Sequence, residues 1–159
     1  MANEKKKIIA TNRRARHFYD IERTYEAGMA LLGPEVKSLR QGKANLEEAY
    51  ARPVKNELFL FDMHVSPYTE AGRYNPPEPR RPRKLLLKRH EINRLIGYVT
   101  QKGYTIIPLS LYFSERGIAK VELGLARGKK VFDRREDIKQ RIQHREMERE
   151  MKHKKKFSE

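Results

Sequence analysis

A chain of 159 residues has room for one domain of roughly 100–150 residues with tails. Its 36 Lys and Arg against 21 Asp and Glu leave a net charge of +15, an excess commonly matched by a polyanionic partner, because each cation placed on a phosphate releases counterions. The absence of Cys excludes disulfides, thiolate catalysis and Cys-ligated zinc; with no apolar run near the ~18 residues of a membrane span, a soluble cytoplasmic protein without a membrane partner is expected.

In chain order, residues 1–16 are polar and basic, with no apolar stretch of the kind a secretion signal needs, and read as a mobile leader. Residues 17–131 hold nearly all the apolar side chains and must supply the core. Within them, Gly33 to Gly42 carries Pro34 and Glu35 in a first turn and Gly as a stop, which predicts a short helix. Glu57 to Val65 is short, aromatic and strand-like, and the four prolines of Pro76 to Arg83 predict an extended loop. His90 to Lys102 sets Ile92, Leu95, Ile96 and Val99 at helical spacing before Gly103. Tyr104 to Phe113 is a second strand, with an edge or bulge at Pro108. Ala119 to Leu125 alternates apolar and other residues, so with the Ser114–Gly117 turn these two runs predict a hairpin. Residues 132–159 carry 10 Lys or Arg and 7 Asp or Glu around Ile138, Ile142, Met147, Met151 and Phe157. That segment cannot bury a core, and its i,i+4 pairs, such as Glu148 with Lys152, are worth only a few tenths of a kcal/mol each. A basic tail, frayed when free and folding on its partner, is expected. The whole reads as a mainly β protein, a small β-barrel with short flanking helices.

Catalytic constellations are missing. None of His17, His64, His90, His144 and His153 has a partner at metal-binding i,i+4 spacing. The run Gly124 to Lys130 resembles a phosphate-binding loop but is one residue short and lacks Ser or Thr. Glu47 and Glu48 are adjacent, so on a strand they would face opposite ways. No enzyme activity, cofactor or metal is expected.

Basic clusters are the stronger signal: Arg13, Arg14 and Arg16; Lys37, Arg40 and Lys43; Arg80, Arg81, Arg83, Lys84, Lys88 and Arg89; Arg127, Lys129 and Lys130. Almost no acid interrupts them, unlike an ordinary mixed-sign surface. Phe18, Tyr19 and Phe132 lie beside them, as rings for base stacking would, although core packing is the commoner fate of Phe18, Phe59, Phe61 and Phe113. RNA binding is the reading these features favour.

Five strings then stand in order: Asn12-Arg13-Arg14-Ala15-Arg16-His17, Thr24-Tyr25-Glu26-Ala27-Gly28, Glu35 through Asn45, Arg83-Lys84-Leu85-Leu86-Leu87, and Gly124 through Lys130. Together they closely resemble the small protein B family, the bacterial partners of transfer-messenger RNA (SsrA RNA), from about Asn12 to Arg141. The resemblance implies an oligonucleotide-binding-type barrel that holds the tRNA-like domain of that RNA and escorts its alanylated form to stalled ribosomes. Nascent chains are then tagged and the ribosomes rescued. Protein and RNA together would mimic a tRNA, the C-terminal tail entering the empty message channel at the small-subunit decoding centre and becoming helical there. Alanyl-tRNA synthetase and elongation factor Tu are implied as indirect partners through the charged RNA, and a monomer is expected.

Carried over by position, Glu26, Leu86, Lys120 and Gly128 fall where the family meets the tRNA-like elbow. Arg13, His17, Arg83, Lys84, Arg127 and Lys129 are implied phosphate or sugar contacts; Arg14, Arg16, Tyr19, Lys37, Arg40, Lys43, Asn45 and Lys130 join them from the clusters and matched strings. A carboxylate facing RNA must accept from a base or orient a neighbouring cation, and both stay open for Glu26. Leu86 is either an apolar contact to a base or core. In the tail, Phe132, Asp133, Arg134, Arg135, Ile138, Lys139, Arg141 and Ile142 are the implied ribosome contacts. Two departures stand out: Pro34 replaces the family's frequent Thr, which a helix start tolerates, and Phe132-Asp133-Arg134-Arg135 keeps a stacking ring without a polar handle. The competing readings are a structural ribosomal or ribosome-assembly protein and, in third place, an RNA-processing enzyme.

Overall fold

A computed structural model describes residues 6–68, 76–128 and, as a helical backbone, 131–157, with side chains in that helix from 138 to 153. Its elements in chain order are β1 (Lys7–Thr11), α1 (Ala15–Phe18), β2 (Tyr19–Met29), α2 (Gly33–Arg40), β3 (Ala44–Asn45), β4 (Tyr50–Val54) and β5 (Glu57–Phe61). There follow β6 (His64–Val65), β7 (Arg83–Leu86), α3 (Arg89–Lys102), β8 (Thr105–Phe113), β9 (Ala119–Gly128) and α4 (Val131–Phe157). The chain divides into two units, Met1–Arg127 and Gly128–Glu159.

In the first unit, the main sheet among the described residues runs β1-β8-β4-β5-β7-β2-β9, and β9 also pairs with β8. That second pairing closes β8, β4, β5, β7, β2 and β9 into a ring, so the expected barrel is observed. The edge of β8 away from β9 is shared: Ile106 faces Ala51 of β4, and Ser110 to Phe113 face β1. Closure turns one face of each strand inward, and Leu58, Leu60, Leu85, Ile106, Leu111, Val121 and Leu123 are fully buried there. Ile92 and Leu95 are the buried positions of α3, which stops at Gly103 in the left-handed conformation (φ 68°), as the 3.6-residue spacing predicted.

The β8–β9 hairpin runs from Thr105 opposite Ala126 to Phe113 opposite Ala119, with the register slipping between Pro108 and Ser110, where a bulge was expected. A smaller apolar cluster of Ala15, Ile107, Leu109 and Ala126 has Tyr19 and Ile21 packed on it. Gly124 allows this packing, because a Cβ there would stand 3.2 Å from both Ile21 and Leu109.

Three expectations are corrected. Residues 7–16, read as leader, belong to the barrel unit: β1 pairs with β8, and Asn12 donates from its backbone to the Leu109 carbonyl (2.8 Å) and from its side chain to that of Pro108 (3.1 Å). The single strand Glu57 to Val65 is two, since Asp62 at φ 59° takes β6 away to pair with β3. Just before it, Lys55 and Asn56, both at positive φ, make a two-residue hairpin turn between β4 and β5. The tail, expected to fray, is one continuous helix of 27 residues. Its length exceeds the ~12–15 residues at which isolated helices become viable, and no Gly or Pro interrupts it. Side chains from 138 to 153 are all exposed, in keeping with their polar composition.

Candidate nucleic-acid interface

Alternation along β2 and β7 sorts the matched strings into inside and outside. Ala27, Met29 and Leu85 are buried; Glu26, Lys84 and Leu86 are exposed, with Gly28 between. Gly28 pairs with Leu86, so the leucine stands beside a position that has no side chain, and its 51% exposure removes it from the core. Next along β2, the Glu26 carboxylate accepts a hydrogen bond from the Tyr112 hydroxyl. The Lys120 ammonium lies 3.7 Å from it and that of Lys6 4.0 Å, and Lys6 also sits 4.6 Å from the centre of the Tyr112 ring. Glu26 therefore orients two cations on an open face. Of the two roles left open for it, that one has a geometric basis.

Further along β2 the same device recurs. Tyr104 donates to Glu22 (2.7 Å), and the Arg127 guanidinium lies 4.3 Å over its ring. The bond to Glu22, with burial adding to it, holds the Tyr104 hydroxyl protonated beyond the usual tyrosine range. Tyr98 meets Tyr104 edge-on at 5.3 Å and carries Lys102 over its own ring at 5.1 Å. One face of Arg127 is thus covered, which fixes the plane of its donor fork.

The remaining residues spread over the barrel unit. Arg13, Arg14 and Arg16 are exposed around α1, and His17 is half-buried with its ring edge-on to Phe18 (4.9 Å). Phe18 itself is 38% exposed, so the core packing expected for it is incomplete. Tyr19 packs on the small apolar cluster, which accounts for its ring. Lys37, Arg40 and Lys43 are exposed on and after α2, and Asn45 accepts a bond from the Glu47 N–H (2.8 Å). Gly128 ends β9, exposed. Lys129 and Lys130 lie outside the described residues. In the second unit Phe132, Asp133, Arg134 and Arg135 belong to α4, their side chains outside what is described. Ile138, Lys139, Arg141 and Ile142 are exposed there, the two isoleucines one turn apart.

Arg83 must be withdrawn as a phosphate contact. It is 0% exposed, facing inward on β7 with Leu85. Its guanidinium donates to Glu35 (2.7 Å) and to the carbonyls of Met63 (2.6 Å) and Pro79 (3.0 Å). Arg81 closes on the same carboxylate, and the Leu32 N–H donates to it (2.9 Å) at the start of α2. Burial works against the charge of Glu35, yet bonds from Arg81, Leu32 and Arg83 outweigh it, and the carboxyl stays below its ordinary pKa. Burial pulls the Arg83 guanidinium down as well, but an arginine starts so high that it stays charged at any pH where the protein folds. Two other members of this cluster are paired too: Arg80 with Glu48 (2.8 Å) and Arg89 with Glu57 (2.6 Å). Acid-free in sequence, the cluster has its four arginines acid-paired in space. Lys84 remains exposed.

Tyr112, Tyr104, Glu22 and Lys6 escape a reading of the sequence, because nothing local marks a tyrosine whose partner is 82 or 86 residues away. Among the described residues no three His, Cys, Asp or Glu could hold a metal ion, and no helix is long and apolar enough to cross a membrane.

The family model described as SmpB protein matches residues 9–153. The SsrA-binding protein of Moorella thermoacetica is 57% identical over 150 residues, 94% of this chain and 96% of that one. That of Thermoanaerobacter pseudethanolicus is 56% identical over 154 residues, 97% of each. Among solved structures, a chain described under "tmRNA-SmpB: a journey to the center of the bacterial ribosome" is 57% identical, with a TM-score of 0.63 over 77% of this chain and 85% of that one.

Proposed function

The chain belongs to the SmpB protein family, and from that premise we infer that it binds transfer-messenger RNA and works with it on the ribosome in trans-translation, the rescue of stalled ribosomes. The observation that carries this is identity above half over nearly the whole length of proteins that bind SsrA RNA. It favours rescue over a structural ribosomal role.

The RNA face is the outer wall of β7, β2 and β9, where Leu86, Gly28, Glu26 and Lys120 stand together and Lys84 and Arg127 flank them. This wall receives the tRNA-like domain: Leu86 supplies an apolar contact, Lys120 and Lys84 meet phosphates, and Glu26 sets the lysines rather than repelling RNA. Helix α4 occupies the empty message channel with Lys139 and Arg141 toward ribosomal RNA. Alanyl-tRNA synthetase and elongation factor Tu act on the charged RNA and meet the protein only through it. The protein itself, a cytoplasmic monomer, performs no bond chemistry. Sequencing RNA crosslinked to the protein in cells tests the reading; recovery of ribosomal RNA with no enrichment of transfer-messenger RNA would reject it.

Two titrations test the face. Affinity for transfer-messenger RNA should fall steeply with salt, with a log–log slope of several units, since each neutralised phosphate contributes roughly 0.7–0.9. A nearly flat dependence would mean that phosphate contacts do not dominate. Glu26→Ala should weaken binding by ~1–3 kcal/mol although it removes a negative charge, because Lys120 and Lys6 lose the group that orients them. Simple charge counting expects the opposite sign, so tighter binding by a folded variant would leave Glu26 a structural residue.

A further inference from the structure

Of the Glu26 cluster only Glu26 itself lies in a matched string, and Tyr112 is the member whose side chain reaches the others. Tyr112 lies on β8, opposite Ile8 of β1 on one side and Lys120 of β9 on the other. Its neighbours Leu111 and Phe113 pack into the main core, whereas Tyr112, only 3% exposed, belongs to neither apolar cluster. Its hydroxyl reaches to Glu26 on β2, the strand beyond β9, while Lys6 covers its ring. One side chain therefore ties together the segments that bear Lys6, Lys120 and Glu26. A carboxylate with 47% of its side chain exposed would otherwise sample several rotamers, and the lysines paired with it would follow. Fixing the carboxylate through a nearly buried phenol removes that freedom before any RNA arrives, which is how a site gains affinity without an added contact. The Tyr104–Glu22–Arg127 arrangement repeats the same parts four residues earlier on β2, so the pairing is a recurring device of this wall.

We propose that Tyr112 is a positioning residue of the RNA site, its hydroxyl holding the Glu26 carboxylate so that Lys120 and Lys6 are set for the RNA in advance. This rests on the reading of the β7–β2–β9 wall as the RNA face.

The test uses the full chain and a full-length transfer-messenger RNA transcript. Tyr112→Phe, Glu26→Gln and the double variant are compared in RNA affinity, its salt slope and the thermal midpoint. Phenylalanine keeps the ring and its packing and removes only the donor. Tyr112→Phe should weaken binding about fivefold or more with an unchanged midpoint, and the slope should stay the same because no phosphate contact is removed. In the Glu26→Gln background, removing the hydroxyl should cost little more, the two changes being far from additive. If Glu26→Gln weakens binding and Tyr112→Phe does not, the positioning role is wrong while the RNA face stands. A Tyr112→Phe loss that persists in full beside Glu26→Gln, or that comes with a lowered midpoint, makes the tyrosine structural and overturns the proposal. Should Glu26→Gln itself leave affinity untouched, the face has been misread and the proposal falls with it.

Discussion

A chain cut after Phe132 will bind transfer-messenger RNA to within about tenfold of the whole protein, ~1.4 kcal/mol, and will not support tagging on stalled ribosomes at all. Among the described residues every member of both buried apolar clusters lies at or before Ala126, inside the barrel unit. The wall proposed to face RNA lies wholly within that unit too. In the second unit Ile138, Ile142, Met147 and Met151 are 45–68% exposed on a helix whose side chains between 138 and 153 are all exposed. Such a surface contributes little to barrel stability. It suits a channel lined with phosphates, where Lys139, Arg141 and Arg145 would meet counter-charge. RNA affinity, thermal midpoint and tagging activity of the cut chain decide the matter together. Tagging that survives the cut would end the account of the tail as a stand-in for the message. Collapse of RNA binding would instead assign the tail to the tRNA-like interface.

Glu35→Ala should destabilise the barrel by ~3–5 kcal/mol, a large part of the ~5–15 kcal/mol that holds a domain together. The substitution leaves Arg83, fully buried, and Arg81 beside it with no carboxylate between them. It also frees the Leu32 N–H at the start of α2 and loosens the tie to the loop that ends at β7. The effect has a pH signature. The folded protein holds the Glu35 pKa below its ordinary value of 4.5, so the ionised carboxylate contributes stability that is complete above that value. It is lost as pH falls through the lower, folded-state value. The gap in thermal midpoint between the protein and a Glu35→Gln variant should therefore be widest near neutral pH and narrow in acid. A gap that stays constant down to low pH would mean that the ion pairs contribute nothing beyond the shape of the side chain.

Local signals were legible where one side chain or one short period decides the conformation. Pro34 and Glu35 start α2, Gly103 stops α3, and the alternation of Ala119, Val121, Leu123 and Leu125 marks β9. The longest strand was not legible. The stretch Glu22-Arg23-Thr24 in the middle of β2 is exposed at three successive positions, so the two-residue period disappears there. In β1, two isoleucines among basic and polar residues resemble a leader until β8 supplies an edge to pair with.

For the site, composition by itself determined a basic surface, and the five strings determined the family and most positions on the outer wall. The first follows from residue counts and the second from residue order, and neither needs a partner in space. Only the tertiary structure decided what each charge does. Arg83 and Lys84 are neighbours in one basic run, but a strand points successive side chains to opposite faces, which buries the first and exposes the second. Arg80 finds Glu48 at a separation of 32 residues, Arg83 finds Glu35 at 48, and Tyr112 finds Glu26 at 86. Tertiary folding makes these pairs: connecting segments bring Arg80 to Glu48, α2 meets β7 to bring Glu35 to Arg83, and closure of the barrel brings Tyr112 to Glu26. Until the chain folds, a structural arginine and an RNA-facing lysine are the same kind of residue in the same kind of run.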